Sequence, residues 1–406
     1  MTSHSYAVFG QTPVSIARPG SADEAREVVC ESFGQGIVPW GGGTRQELGY
    51  VPERYDVALS TERLDQITDY QPADLTLTAQ AGVTVAHLQE TLAKQGQFLA
   101  LDVARPDRQT VGGIVAARAN SLCRLAYGSV RDALLGVSVV NGRGELVKGG
   151  GKVVKNVAGY DLPKLYCGSL GTLGLIVEAT FKVAPLPEST ATVGLPLDAN
   201  HNVEDVLDRL LASGLAPAFL FLLSPEAAQT VVPEAEAAQY IIVGFDGNEQ
   251  AVAWQVETLG APPWDTDRAR AVRARLRDFS LDDAPVTASF HVLSSQVGAF
   301  SRMLEWTARK AGFTAQVASD AALGLMTAHF APMNEGADWL VFYADLKDKA
   351  DRCGGSFVLE RMPAELRAQG VPVWSPLLPD FTLMARVKEA FDPGRMWNPG
   401  RFVGRL

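Results

Sequence analysis

The pattern of polar and apolar positions near the start of the chain predicts a helix that begins at about Ala22. Ser21 precedes it and Glu24 lies at the position that completes a capping box, while Gly34 and Gly36 follow it. Capping residues satisfy the free amides of a first helical turn, and glycine ends helices readily. The first predicted element is therefore a capped helix.

Strand-like apolar segments then alternate with helical ones. Residues 56–60 and 75–79 are predicted strands, and a second helix is expected to open at Thr84. Two longer apolar strands, 134–140 and 175–183, are joined by turn-rich sequence around Asn141 and Gly142 and at 149–151, which predicts a hairpin and a loop. This half of the chain therefore has the pattern of an α+β domain.

The pattern changes after Pro185 and Pro187, where glycine becomes less frequent. Units of helix and strand follow, such as a helix at 206–213 and a buried strand at 219–223. Such units are typical of an α+β cap that resembles a ferredoxin-like sheet with helices on one face. A last helix is predicted at 382–390, before a tail of proline and glycine.

Composition and charge narrow the classes of function. The chain has 406 residues, a net charge of −10 and basic residues that are not gathered into blocks, which argues against a nucleic-acid groove. The longest apolar stretch, 215–223, is far shorter than the roughly 20 residues of a bilayer span. Residues 1–10 lack an export-signal pattern, so we expect a cytoplasmic protein.

Metal chemistry is not expected from the cysteines and histidines. The four cysteines are widely separated, which favours free and mostly buried thiols. No two histidines lie three to five residues apart, as a helical metal site would need. The histidines are His4, His87, His201, His291 and His329.

A glycine loop is the first candidate for chemistry. Residues 38–44, with the sequence VPWGGGT, place three glycines directly after a predicted strand. Glycines allow positive φ and close approach of a ligand, so successive amides can converge on a diphosphate. A tight turn is the alternative interpretation of this segment taken alone.

Three more segments share this abundance of small residues. Residues 104–121 place Gly112 and Gly113 before small side chains, which indicates close approach to a flat group. Residues 127–145 place charged residues before an apolar strand, where charges need partners. Residues 149–183 carry glycines that lead into a β-branched strand. Each segment alone also fits a purely structural role.

In their order and spacing, these four segments resemble the FAD-binding domain of the vanillyl-alcohol oxidase and p-cresol methylhydroxylase (PCMH) superfamily, over about residues 14–183. The resemblance implies an α+β fold: a two-lobed FAD-binding domain at 1–186, an α+β cap at 187–380, and a helix and tail at 381–406 that return to the FAD domain. It also implies a flavin site made mostly of backbone. The implied site residues are Gly41, Gly42, Gly43, Thr44 and Arg45 for the diphosphate, Pro106, Thr110, Val111, Gly112 and Gly113 for the flavin and its ribityl chain, Asn120, Ser121, Gly128 and Asp132 nearby, and Gly171, Gly174 and Ile176 for another part of the cofactor.

Non-covalent FAD follows from the same resemblance. Some superfamily members attach FAD through a histidine in the glycine loop, but the matching position here is Thr44. A histidine from the second half of the chain, His291 or His329, is the alternative attachment point.

Residues 155–176 and 391–402 are further similar to the FAD-binding GlcE component of bacterial glycolate oxidases. The resemblance implies oxidation of glycolate to glyoxylate in a complex with a homologous FAD-binding catalytic subunit and an iron–sulfur subunit, with any membrane attachment at the inner face made through those partners. Related catalytic subunits carry HxGDGNxH and GEHG segments, whereas this chain has GSFVLERMP at 355–363. The base that takes the hydroxyl proton is therefore not identified. Arg361 is a candidate to bind the substrate carboxylate, and Tyr160 is a candidate to donate a hydrogen bond near the flavin. The alternative interpretations, a surface arginine and a packed tyrosine, are favoured.

Three functions remain open from sequence. The chain is a flavin subunit of a glycolate oxidase complex, a self-sufficient 2-hydroxy-acid dehydrogenase of the D-lactate type, or a scaffold that keeps the fold without catalysis. The intact glycine segments and the missing acid–base histidines favour the first.

Overall fold

The computed structural model describes residues 6–152, 159–198, 202–235, 239–377 and 379–406. His4, His201 and residues 155–158 of the segment similar to GlcE lie outside the described residues. Contacts divide the chain into two compact units, the first of Met1–Ser121, Gly128–Leu186 and Leu377–Leu406, and the second of Leu122–Tyr127 and Pro187–Pro376. The division into domains at residues 186 and 380 stays a prediction.

Helices and strands are numbered in chain order. The strands are β1 Ser15–Ala17, β2 Ile37–Trp40, β3 Val57–Ser60, β4 Ile67–Gln71, β5 Thr76–Gln80, β6 Gln97–Phe98, β7 Leu134–Val140, β8 Leu146–Gly150, β9 Leu175–Lys182, β10 Ala184–Pro185, β11 Ser189–Leu197, β12 Phe219–Leu223, β13 Gln239–Gly247, β14 Val286–His291, β15 Phe313–Asp320, β16 Leu325–Pro332, β17 Ser356–Arg361 and β18 Trp374–Ser375. The helices are α1 Ala22–Glu31, α2 Val85–Ala93, α3 Val111–Ala116, α4 Arg124–Tyr127, α5 Val130–Ala133, α6 Leu162–Tyr166, α7 Val203–Ala212, α8 Pro225–Val231, α9 Glu249–Leu259, α10 Thr266–Asp278, α11 Val297–Lys310, α12 Trp339–Arg352, α13 Ala364–Ala368 and α14 Phe381–Phe391.

The first unit holds two sheets of different kinds. A small parallel sheet has the strand order β1-β3-β2, and a five-stranded sheet has the order β4-β5-β9-β7-β8. In the larger sheet each strand runs antiparallel to its neighbours. Strands β6 and β10 form a separate antiparallel pair. The fold is thus a mixture of helices and sheets, as the sequence pattern predicted.

Side-chain caps begin the two helices that the sequence predicted first. The Ser21 hydroxyl accepts the Glu24 amide at 3.1 Å at the start of α1. The Thr84 hydroxyl accepts the His87 amide at 3.2 Å at the start of α2. Buried Leu88 on α2 then packs in the core of this unit, which confirms the predicted amphipathic helix.

Strand β8 differs from its prediction. Gly149 and Gly150 were expected in a loop, but they end this strand and pair with Val137 and Gly136 of β7. A Cβ at Gly150 would lie 2.0 Å from the Leu135 carbonyl oxygen. Gly150 also has φ +71°, so close strand pairing and a positive φ both favour glycine here.

The second unit is built on one antiparallel sheet of eight strands in the order β11-β13-β12-β15-β16-β14-β17-β18. All five residues of β12 are buried, because the strand lies between two others and carries apolar side chains on both faces. Helix α11 packs against this sheet through Phe300, whose ring lies 5.4 Å from that of Phe290 on β14.

Residues 122–127 also belong to the second unit. Leu122 and Cys123 are buried in a cluster with Phe219 of β12. Next to them, the Arg273 guanidinium donates to the Asp246 carboxylate at 2.9 Å.

Among the described residues, no helix combines the length and apolar character that crossing a bilayer requires.

Candidate functional site

A cleft opens in the first unit, and three of the glycine segments line it. Eleven of the predicted site residues line it: Gly41, Gly42, Gly43, Thr44, Arg45, Thr110, Gly112, Gly113, Gly171, Gly174 and Ile176. Segments that are far apart in sequence therefore share one cavity.

The first wall is the glycine loop that leaves β2. The Trp40 carbonyl accepts the Thr61 amide at 2.9 Å, so the end of the strand is fixed before the loop turns. A Cβ at Gly42 would lie 1.7 Å from the Arg108 carbonyl oxygen, and one at Gly41 would lie 2.4 Å from Thr110 Oγ1. The loop thus packs so closely on the second segment that it leaves no room for side chains at these two positions.

The second wall is the short helix α3. The Thr110 hydroxyl caps it by accepting the Gly113 amide at 3.3 Å. The Gly112 amide donates to the Ala81 carbonyl at 2.8 Å, and a Cβ at Gly112 would lie 2.8 Å from Ala81 Cβ. Small residues here let the helix lie against the chain that follows β5, while Ala116 and Ala117 line the cleft.

The third wall is the loop that precedes β9. The Leu170 amide donates to the Ala116 carbonyl at 2.8 Å, which joins this loop to α3. Gly171 has φ +66° and Gly174 has φ +146°, conformations that glycine adopts without strain. A Cβ at Gly174 would lie 2.5 Å from the Val140 carbonyl oxygen.

A fourth wall comes from the C-terminal tail, residues 392–401. The resemblance implied that this tail returns to the FAD domain, but none of its residues was predicted as part of the site. Asn398 and Arg401 line the cleft. The Arg401 guanidinium donates to the Gln46 side-chain and backbone oxygens at 2.8 and 2.6 Å. Asn398 Nδ2 donates to the Leu170 carbonyl at 2.5 Å. Polar residues in a proline- and glycine-rich tail were the signal that could have indicated this wall.

A buried ion pair supports this tail. Lys388 Nζ lies 2.6 Å from the Asp392 carboxylate, and the side chains are 6% and 0% exposed. Burial lowers the pKa of Lys388, whereas the negative charge of Asp392 acts to raise it. The Asp392 carboxylate also accepts the amides of Met396 and Trp397 at 3.0 and 2.9 Å.

The remaining predicted residues are not part of the cleft lining, and the structure gives several of them other contacts. The Pro106 carbonyl accepts the Ala86 amide, Val111 is fully buried, and the Ser121 hydroxyl accepts the Asp102 amide. Asp132 caps α5 by accepting the Ser129 amide and hydroxyl at 2.8 and 2.6 Å. Gly128 has φ +82° directly before that cap, and Asn120 is exposed.

The candidate acid–base residues also have other surroundings. Arg361 donates to the Asp283 carboxylate at 2.7 Å within the second unit. Tyr160 is 90% exposed, so its expected packing is wrong, and it does not line the cleft. His329 is buried, and its ring nitrogens lie 3.0 and 2.7 Å from the Thr287 hydroxyl and the Phe279 carbonyl. Burial lowers the pKa of His329.

Other thiols and imidazoles of the described residues lie elsewhere. His87 and His291 are exposed on the surface. All four cysteines are free, as expected, but only Cys123 is buried, while Cys30 and Cys353 are exposed, so the expectation of mostly buried thiols is wrong. Within the described ranges, no group of three or more metal-ligating side chains forms a candidate metal site.

The charge of the cleft suits an anionic ligand. Arg45 and Arg401 line it, and its lining includes neither aspartate nor glutamate. Backbone amides of glycine loops and arginine side chains are the groups that proteins use to bind diphosphates. The residues present therefore fit a dinucleotide.

Comparison with known families agrees with this geometry. Residues 13–150 match the family described as FAD binding domain, and this range includes the glycine loop and α3. This part of the chain is therefore similar to FAD binding domains. The matched range ends before Gly171 and Gly174, so the third and fourth walls lie outside it.

Individual relatives extend the similarity beyond that domain. The glycolate oxidase subunit GlcD of Bacillus subtilis (strain 168) is 25% identical over 98% of this chain and 90% of its own length. The glycolate oxidase subunit GlcE of Escherichia coli (strain K12) is 34% identical over 35% of this chain and 41% of its own length. The family match and these relatives group the chain with FAD-dependent oxidoreductases.

A solved structure supports the fold. The 4-ethylphenol oxidase of Gulosibacter chungangensis superposes with a TM-score of 0.73 over 95% of this chain and 88% of that chain. The two sequences are 16% identical, so this likeness bears on the fold alone.

Proposed function

We propose that this chain is the FAD-binding subunit, of the GlcE type, of a glycolate oxidase complex that oxidises a small 2-hydroxy acid. In this proposal the FAD is held non-covalently in the cleft of the first unit. A homologous catalytic subunit and an iron–sulfur subunit complete the complex, and electrons pass to the latter.

The observation that carries the proposal is the composition of the cleft. Three glycine segments and two arginines line it, which is suited to the diphosphate of FAD. The Gly41–Gly43 loop and Arg45 would bind the diphosphate, and α3 and Gly171 would lie against the ribityl chain and ring. Thr44 offers no ring nitrogen for a covalent bond to flavin, which supports non-covalent attachment.

Oxidation of a 2-hydroxy acid to a 2-oxo acid removes a hydride from the alcohol carbon and a proton from its hydroxyl group. When bound, FAD supplies the acceptor for the hydride. The proton needs a base, and a carboxylate substrate usually needs a cation. A self-sufficient enzyme would therefore need a flavin, a base and a cation in one site.

No histidine among the described residues lines the cleft. The two described histidines outside the core, His87 and His291, are exposed. His329 is committed to hydrogen bonds inside the second unit. We therefore assign the removal of both hydride and proton to the homologous FAD-binding subunit, and to the FAD of this chain the transfer of the electrons towards the iron–sulfur subunit.

The experiment compares the purified chain alone with the co-expressed complex. The chain is reconstituted with FAD, and glycolate or D-lactate is added without oxygen while the flavin absorbance is followed. We expect the spectrum of the chain alone to stay oxidised. The complex is expected to reduce a dye with glycolate, and this activity should be lost when the chain is omitted.

Two outcomes would overturn the proposal. Bleaching of the chain alone by either substrate would identify a self-sufficient 2-hydroxy-acid dehydrogenase. A complex that keeps full activity when this chain cannot bind FAD would identify a scaffold instead.

A further inference from the structure

We infer that Lys388 and Asp392 are positioning residues, whose buried ion pair fixes the C-terminal tail so that Asn398 and Arg401 close the fourth wall of the cofactor cleft. The inference rests on the proposed function in that it takes the ligand of the cleft to be FAD. It adds a part of the site that lies outside the matched FAD binding domain.

Lys388 connects three separate parts of the first unit. Its Nζ donates to the Asp392 carboxylate at 2.6 Å, to the Thr172 carbonyl at 2.7 Å and to the Trp397 carbonyl at 2.8 Å. An ammonium group has three N–H donors, and all three are used here. Helix α14, the tail and the loop that carries Gly171 are therefore held by one buried group.

Asp392 fixes the tail from the other side of the pair. Its carboxylate accepts the amides of Met396 and Trp397, so the chain must turn back directly after α14. Trp397 is fully buried in the core cluster that also holds Ile37 of β2. The ion pair thus fixes both the turn after α14 and the position of Trp397 in the core.

The tail then runs beside β2 like an added parallel strand. The Ile37 amide donates to the Met396 carbonyl at 2.7 Å, and the Asn398 amide donates to the Ile37 carbonyl at 2.8 Å. Strand β2 leads straight into the glycine loop. The tail is therefore hydrogen-bonded to the strand that carries the first wall of the cleft.

Asn398 and Arg401 complete the connection. Asn398 contacts the Leu170 carbonyl of the third wall, and Arg401 contacts Gln46 and the Leu48 carbonyl beyond the glycine loop. Each residue lines the cleft and also bonds to a second wall. A shift of the tail would move both residues and loosen the loops on each side.

The test measures FAD dissociation constants by quenching of flavin fluorescence with the full chain. The K388M variant removes the ammonium group, and the K388M/D392N variant removes both charges while it keeps an amide acceptor for the tail. We expect each variant to weaken FAD binding at least about tenfold, because the tail then shifts and Arg401 loses its contacts with the cofactor. Two variants are used because an unpaired buried carboxylate in K388M can prevent folding.

Two control variants separate positioning from general loss of stability. K347M removes the lysine of an exposed i,i+4 pair with Asp351 on α12 and should leave the dissociation constant unchanged. L92A opens a cavity in the same unit, away from the cleft lining, and should lower the melting temperature without a matching loss of FAD affinity.

A cycle with Arg401 tests whether the pair acts through the tail. The R401M variant should weaken FAD binding, and adding K388M/D392N to it should weaken binding little further, because the two changes disable one wall. Hydrogen exchange of the FAD-free protein should rise at 392–401 and 168–174 in K388M/D392N but not in L92A.

Wild-type FAD affinity in K388M/D392N would overturn the inference. So would a triple variant, R401M/K388M/D392N, whose loss of affinity equals the product of the two separate losses. Unchanged hydrogen exchange of the tail would do so as well. If the wild-type chain binds no FAD, the proposed function fails, whereas the exchange experiment still decides whether the ion pair holds the tail.

Discussion

The substitution G42A perturbs the cleft at its tightest point. A Cβ built on Gly42 would lie 1.7 Å from the carbonyl oxygen of Arg108 and 2.8 Å from its carbonyl carbon. Carbon and oxygen atoms that are not bonded keep about 3 Å or more apart, so the loop and the Arg108 backbone must separate by more than 1 Å. Both contacting atoms are backbone, and no side-chain rotation can relieve the clash.

The sizes of the expected losses in stability and in FAD affinity follow from which part of the backbone must move. Overpacking of this kind costs about 1–3 kcal/mol of folding free energy, and the glycine loop is the part able to yield. A loop displaced by more than 1 Å no longer directs its amides at the same point, so FAD affinity should fall at least about tenfold. The melting temperature should fall by only a few degrees.

Titration of the FAD-free protein with FAD, followed by flavin fluorescence, measures this effect. G151A is the matched control, because a Cβ on Gly151 meets no atom within 4 Å and its φ is not positive. We expect wild-type affinity in G151A. A G42A protein that binds FAD as tightly as the wild type would refute the assignment of this loop to the cofactor.

Further predictions concern the third wall, the attachment of FAD and the pH dependence of stability. G171A should weaken FAD binding, because Gly171 has φ +66° and a Cβ would lie 3.0 Å from the Pro39 ring; equal affinity in the titration would contradict this. Acid precipitation should release intact FAD into the supernatant, and flavin retained on the denatured chain would contradict non-covalent binding. Burial raises the pKa of Asp320 from 3.8 to about 6, so the folded state holds a proton that the unfolded state loses, and the free energy of unfolding should fall as pH rises from about 4 to about 6. D320N should remove this loss, worth at most about 3 kcal/mol, which urea unfolding of the wild type and variant at pH 4.5 and 8 would measure.

Local signals predicted the regular elements well. Capping residues at Ser21 and Thr84 act within one helical turn, so the sequence contains everything that begins α1 and α2. Apolar runs likewise predicted β7 and β9 within about a residue. The glycine segments were found because their resemblance to a superfamily depends on order and spacing, which a sequence displays directly.

Contacts between distant segments could not be predicted in the same way. Arg401 reaches Gln46 across more than 350 positions, and neither residue type signals the other. The exposure of Tyr160 and the burial of Cys123 depend on which neighbours cover them rather than on the residues themselves. Residues 122–127 join the second unit although the sequence around them is continuous with the first.

The most direct measurement is hydrogen exchange of the purified chain with and without FAD. If the cleft of the first unit holds the cofactor, added FAD should slow exchange at 41–46, 110–117, 170–176 and 398–401 together, and leave exchange in the sheet of the second unit largely unchanged. Protection confined to other parts of the chain, or none at saturating FAD, would contradict the central claim.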